Sequence, residues 1–437
     1  MDGAQHQDML PPPGDIAQLA ESLFRREAGK LVSVMTRLFG VTRLQLAEDV
    51  VQEALVRALR TWPYYGVPRN PAAWIMQTAK HLALDVIRRE TIFNGKQPDI
   101  AAAMTPPQPD AAVDEAPLFD SEIKDDRLRM MFACCHPAIP PESQAALALK
   151  TLCGFSTAEI AGAFLTSEAA AAKRLTRARQ KLNELCIPFE IPSGEALTAR
   201  LDAVLQTLYL LFNEGYKASR GENLIREELC HEATQLAMLL AEHPVGNQPR
   251  THALVALMLF NGARLPARVD EGGNILLLEV QDRSQWNRAM IHRGIVHLGL
   301  SAAGDTLSVY HLQAGIAACH CTAANYASTD WPRILSLYDQ LVRIDPSPVA
   351  LLNRAVAVAQ VQGPRAGIAA LHAIRKSRRL DAYYLLYAVL GEFEAQLNDC
   401  RAAAKHFRKA LQQIQLKSEQ LFLTKKLRQL ETTCTID

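Results

Sequence analysis

Residues 154–182 constrain this chain most, because they read as two helices joined by a tight turn, the second loaded with cations. Ser156 followed three residues later by Glu159 is a capping box, so a helix starts there, with Ile160, Ala161 and Phe164 as its apolar stripe. Thr166 or Ser167 caps the next helix. Along it Lys173, Arg177 and Lys181 recur at i, i+4 and i+8, with Arg174 beside them and Arg179 further on, so several cations share a face. A helix-turn-helix presents such a face to the major groove, where it can meet phosphates and guanine edges. A solvated basic helix in a bundle is the alternative. The approach to the second helix, Thr166 to Ala172, is alanine-rich. Base readout there therefore rests on methyl contacts and on Glu168, which can accept from a cytosine amino group.

A hundred residues upstream, Ala47 to Arg60 is amphipathic, with Val51, Leu55 and Ala58 inward and Asp49, Gln52, Glu53 and Arg57 outward. An aromatic loop is expected next, Trp62-Pro63-Tyr64-Tyr65-Gly66. Asn70-Pro71 then supplies a cap and a first-turn proline for a helix over 72–90. That helix has Ile75, Ala79, Leu82 and Val86 on its core side and Gln77, Lys80, His81 and Arg88 opposite, ending at Arg88-Arg89-Glu90.

Taken together, Ala47 to Glu53, Trp74 to Glu90 and the helix-turn-helix with Leu175-Thr176-Arg177-Ala178-Arg179 resemble a bacterial RNA polymerase sigma factor of the extracytoplasmic-function type, within the sigma-70 family. The resemblance covers residues 15–187 and implies roles for the residues that carry it. Asp49, Gln52, Glu53 and Arg57 would dock on core polymerase. Trp62, Tyr64, Tyr65, Asn70, Trp74, Gln77, Lys80, His81, Arg88 and Arg89 would open and read the −10 element. Glu168, Lys173, Arg174, Arg177, Arg179 and Lys181 would read the −35 element. Physics agrees that aromatic faces capture unstacked bases, at about 1–3 kcal/mol per base. Trp62 and Trp74 can equally be core residues closing the domain.

Composition limits the remaining readings. A net charge of +1 is not the global signature of a non-specific nucleic-acid binder, so binding needs local patches or a partner that supplies affinity. The nine cysteines are scattered; Cys134-Cys135-His136 and Cys319-His320-Cys321 lack zinc-site spacing. Reduced, buried thiols in the cytoplasm are expected, with no metal or cofactor. No apolar run reaches membrane-spanning length, and Met1 to Gly14 has no leader pattern.

The chain divides into a disordered start (1–14), a helical domain (15–94), a Pro/Ala/Asp linker (95–124), the helix-turn-helix domain (125–189) and a helical extension (190–437). The whole is expected to be all-α. The linker's Asp110, Asp114, Glu115, Asp120 and Glu122 are either polymerase-facing or a plain spacer. In the extension, helices are expected over 199–212, 224–242 and 252–261. Asp270 to Trp286 suggests a short hairpin or extended loop, and Glu279, Asp282 and Arg283 a polar cluster, either a buried paired network or a ligand site. Residues 363–371 align with 399–407, an offset of 36 close to the ~34 of tetratricopeptide repeats. Stacked repeats would offer a concave face; a plain bundle would not. Tyr209 to Tyr216, Leu276 to Trp286 and Asn353 to Ala357 resemble the sigma-factor subgroup with a long C-terminal tetratricopeptide-like extension. That implies control through the extension, by a protein or small-molecule regulator.

The leading expectation is a promoter-specificity subunit, with core RNA polymerase (clamp and flap) and promoter DNA as partners, no membrane and no active site of its own. The alternative is a stand-alone helix-turn-helix regulator sensing a ligand or protein through its repeats. An enzyme in the C-terminal half lacks support, because no Walker loop, GxSxG or HExxH occurs.

Overall fold

The computed structural model describes residues 28–36, 38–39, 43–93, 125–184, 195–219, 224–375, 383–414 and 416–433. The expected disordered start, the linker 95–124 and the proline breaks at 188 and 192 lie outside them. The described residues are helical, with no strand among them. They fall into two compact units, 1–207 and 208–437.

The first unit holds α1 (28–36), α2 (Leu44–Tyr65), α3 (Pro71–Phe93), α4 (Asp126–Cys134), α5 (Pro141–Leu152), α6 (Thr157–Ala163) and α7 (Glu168–Glu184). The periodic apolar positions of α2, Val51, Ala54, Leu55 and Ala58, are all buried. Against expectation, α2 does not stop before the aromatic segment but runs through Pro63 to Tyr65. The proline removes one backbone donor in the last turn only, where the facing Leu59 is exposed and water can satisfy its carbonyl. Burial of Trp62, edge-on to Trp74 at 5.7 Å, holds that turn helical. Gly66, at φ 83°, ends it and donates its N–H to Trp62. Asn70 Oδ1 accepts from Ala73 N and caps α3.

Short α8 (Glu195–Thr198) leads to α9 (Leu201–Tyr216), which carries the unit boundary between Thr207 and Leu208. The second unit continues with α10 (Glu227–Glu242), α11 (Pro249–Gly262), α12 (Arg288–Ser301), α13 (Val309–Thr322) and α14 (Trp331–Ile344). Helix α11 is buried almost throughout, from Thr251 to Phe260. Glu214 and Tyr216, inside the motif that suggested the extension subgroup, join α9 to its neighbours. Buried Glu214 lies 3.7 Å from Arg226, and the Arg268 guanidinium stacks on Tyr216 at 3.6 Å while donating to its carbonyl.

The expected hairpin at 270–286 reduces to a single antiparallel bridge, Val269 to Ile275, around the Gly272-Gly273 turn. Only Ile275 of its apolar run is β-branched, and Gln281 Nε2 donates to the Leu276 carbonyl, folding the rest into 3-10 turns. The repeat appears as two helix pairs, α15 (Pro348–Gln362) with α16 (Pro364–Arg375) and α17 (Tyr384–Gln396) with α18 (Cys400–Leu411), closed by α19 (Lys417–Thr433). Leu352, Leu371, Tyr387, Phe393 and Phe407 share one core across the pairs. Among the described cysteines, six are free thiols. Cys400 is disulfide-bonded, which departs from the expectation of reduced thiols throughout.

Candidate nucleic-acid interface

The helix-turn-helix is built by its caps. Ser156 N donates to Glu159 Oε2 at 2.7 Å and Glu159 N to Ser156 Oγ at 3.2 Å, a reciprocal box. Ser167, rather than Thr166, caps α7 by accepting from Ala170 N. Between them Leu165 takes a left-handed φ of 48°, while Thr166 N bonds back to Ala161 O and shuts the turn. Ala171, Leu175, Ala178 and Leu182 form the buried stripe of α7 and set which cations face outward.

Those cations divide into two groups. Lys173 and Arg177 are exposed and carry no ion pair among the described residues. Arg174 pairs with Glu142 at 2.6 Å and stacks over Phe164; Lys181 lies 3.6 Å from Glu184. Arg179 turns the other way, and its Nη2 donates at 2.5 Å to the buried Glu48 carboxylate of α2. Glu168 is exposed at the helix start. Of the four alanines before Lys173, Ala171 is buried, Ala169 and Ala172 are exposed and Ala170 is half-buried.

On α2, Asp49, Gln52, Glu53 and Arg57 are all exposed, with Glu53 and Arg57 paired at 3.3 Å. Tyr64 and Tyr65 are 80% and 86% exposed, the most open aromatics among the large apolar side chains of the described chain. Trp62 is buried, so its ring offers no face to solvent, and Trp74 is half-buried against it. Along α3, Asn70, Gln77, His81, Arg88 and Arg89 are exposed and Lys80 half-buried. Tyr64, Tyr65, Asn70 and Gln77 thus flank the α2–α3 turn, while Arg88 and Arg89 lie four turns further along α3.

In the extension, the expected polar cluster does not form an ion-paired network among the described residues. Arg283 Nη1 donates to His320 O and Ala323 O at 2.6 and 2.8 Å, satisfying the carboxyl end of α13, and its guanidinium stacks on Trp286. Asp282 caps the turn through Ser284, and those hydrogen bonds hold its carboxyl below the usual range. Glu279 is exposed. An open groove of ≈670 Å³ lies between Asn274 and the Leu421, Lys425 and Arg428 face of α19. Among the described residues no group of three potential ligands could hold a metal, and no helix is long and apolar enough to cross a membrane.

Histidines make the extension acid-sensitive. Burial, with Arg264 and Arg283 alongside, pushes His320 down to about 4. His252 and His297 touch Nδ1 to Nδ1 at 3.0 Å, a contact that needs one neutral partner, and burial lowers both. Each folded value lies below the unfolded ~6.5, so the stability is present above that pH and is lost as pH falls toward the folded value. His320 alone should cost about 2 kcal/mol by pH 5. Melts of the full chain at pH 7.5 and pH 5 should show the extension's transition falling by several degrees, with His320→Gln flattening the dependence. An unchanged transition would contradict the burial of these rings.

An all-helical chain whose first unit pairs a capped, basic helix-turn-helix with a helical hairpin tipped by exposed tyrosines defines a DNA-binding transcription protein. Residues 23–92 match the model of sigma-70 region 2 and residues 129–182 that of sigma-70 region 4. Residues 200–302 match a family of unknown function, DUF6596. The chain is 38% identical over 369 residues to the uncharacterized protein R00370 of Rhizobium meliloti, covering 84% of this chain and 86% of that one. It is 29% identical over 147 residues to the probable RNA polymerase sigma factor RfaY of Xanthomonas campestris, across 33% and 35% of the two chains. To the ECF RNA polymerase sigma factor SigE of Mycolicibacterium smegmatis it is 27% identical over 164 residues, across 38% and 60%. No solved structure matches significantly. The chain belongs to the sigma-70 family of the extracytoplasmic-function type, with a helical C-terminal extension.

Proposed function

We propose that this sigma factor binds core RNA polymerase through Asp49, Gln52, Glu53 and Arg57, reads the −35 element through α7, and melts the −10 element with the α2–α3 tip. The domain roles follow: 15–94 for polymerase and the −10 element, 125–189 for the −35 element, and 190–437 for control by a protein or small-molecule regulator. The protein has no catalytic step of its own; its relatives act by directing polymerase. The observation that carries the reading is the exposure of Tyr64 and Tyr65, adjacent aromatic faces left in water where stacking on unpaired bases would cover them. The outward cations Lys173 and Arg177 support it, and with direct base contacts sparse at the alanine-rich helix start, phosphate contacts carry much of the −35 affinity.

The test is a pull-down of core polymerase by the full chain, followed by run-off transcription from a library of promoter fragments. Stable capture with fragment-specific transcripts is expected. Removing Lys173 and Arg177 together should lower promoter affinity and flatten its salt dependence by about 1.8 in log–log slope, ~0.9 per phosphate contact. An unchanged slope would take α7 off the phosphates, and no capture of polymerase would move the weight to a stand-alone regulator.

A further inference from the structure

Three contacts join the two sigma modules inside the first unit. The Glu48 carboxylate of α2, 7% exposed, accepts from Thr151 Oγ1 at 2.8 Å and from Arg179 Nη2 at 2.5 Å. Gly29 of α1 lies so close to α5 that a Cβ there would sit 1.9 Å from the Leu152 carbonyl oxygen. Leu44 of α2 meets Met130, Ala133, Cys134 and Leu182 around a gap of only ≈10 Å³, too small for more than one water. The interface is dry, and its buried charge is matched by one partner from the other module.

Its chemistry bears on both proposed binding surfaces. Glu48 precedes the exposed acidic face of α2, and Arg179 belongs to the basic helix α7. One ion pair therefore withdraws a carboxylate from the first surface and a cation from the second. A carboxylate this buried is tolerable only while its cation stays, so Arg179 cannot leave for a phosphate unless the interface opens and water reaches Glu48.

We propose that the Glu48–Thr151–Arg179 network is an autoinhibitory latch. It holds the region 2 and region 4 modules together and keeps Arg179 off DNA until polymerase supplies Glu48 with another partner. The inference rests on the promoter-binding reading above and adds its regulation. In the closed state only the open fraction binds, so apparent affinity is reduced by that fraction.

Gly29→Ala tests this without touching a proposed binding residue. Alanine normally favours a helix over glycine, so any opening comes from the methyl against Leu152. In the full chain, without polymerase, hydrogen exchange should quicken at 28–36 and 147–153. Affinity for a labelled mixed-sequence DNA duplex should rise about tenfold or more, the gain expected when a competent state at or below about 10% becomes dominant. The salt dependence should steepen by about 0.9, one added phosphate contact. Thr151→Val, which deletes only a hydroxyl, should move affinity the same way by less, and serves should Gly29→Ala fail to fold. Faster exchange with unchanged affinity and slope would make the interface mere packing. Unchanged exchange in Gly29→Ala, or unchanged affinity in Thr151→Val, would mean no latch holds in solution. Each of these results overturns the proposal. Failure of every form to capture polymerase would instead sink the promoter reading and leave the duplex comparison standing.

Discussion

Replacing Tyr64 and Tyr65 together by alanine should abolish promoter melting while leaving the fold and duplex binding intact. Each ring that stacks on an unpaired base is worth about 1–3 kcal/mol, so losing both costs about 2–6 kcal/mol, a factor of roughly 30 to 10⁴ in open complex. The fold should not notice, because side chains this exposed contribute within about 0.5 kcal/mol of stability. Trp62→Ala is the contrast. That ring is buried against Trp74, so its removal should cost about 3–5 kcal/mol and unfold the hairpin tip along with function. Permanganate reactivity of promoter thymines, read beside a thermal melt, separates the two. Phenylalanine at both tyrosines should preserve melting, since the ring face and not the hydroxyl does the stacking. If the double alanine variant still opens promoters at the normal rate, the α2–α3 tip is not the melting element.

How much of this was legible in the sequence depended on how far apart the interacting residues lie. The helix-turn-helix could be read locally because Ser156 and Glu159 cap each other three residues apart and the α7 stripe repeats every turn. The repeat pairs were legible for the same reason. The run of α2 through Pro63 was not, because what keeps that turn helical is Trp74, twelve residues on and in another helix. The hairpin expected at 270–286 followed from its glycine turn, but a leucine run has no alternation to hold a strand and Gln281 folded it back instead. Arg179 counted with the basic face by composition. Its place four residues after Leu175, beside the buried stripe, was the one available hint that it turns inward. Its partner Glu48 is 131 residues away, beyond any periodicity.

The C-terminal repeat offers the second large effect. Phe407 of α18 is 2% exposed and its ring lies flat on α17, where a Cβ on Gly391 would meet Cδ1 and Cε1 at 2.6 Å. Phe407→Ala should cost about 3–5 kcal/mol, transfer free energy plus the cavity left between the pairs. Gly391→Ala should also destabilise, by about 1–3 kcal/mol, because overpacking against the ring outweighs the helix preference of alanine. The two changes act on one contact. With the ring gone the new methyl meets no clash except the Ala403 carbonyl at 3.2 Å, and it fills part of the void. The double variant should therefore lose less than the sum of the singles, with a coupling of about 0.5–3 kcal/mol measured by urea denaturation. Strict additivity would mean that α17 and α18 are not closed through this ring, and the shared core that makes the two repeats one folding unit would have to be sought elsewhere.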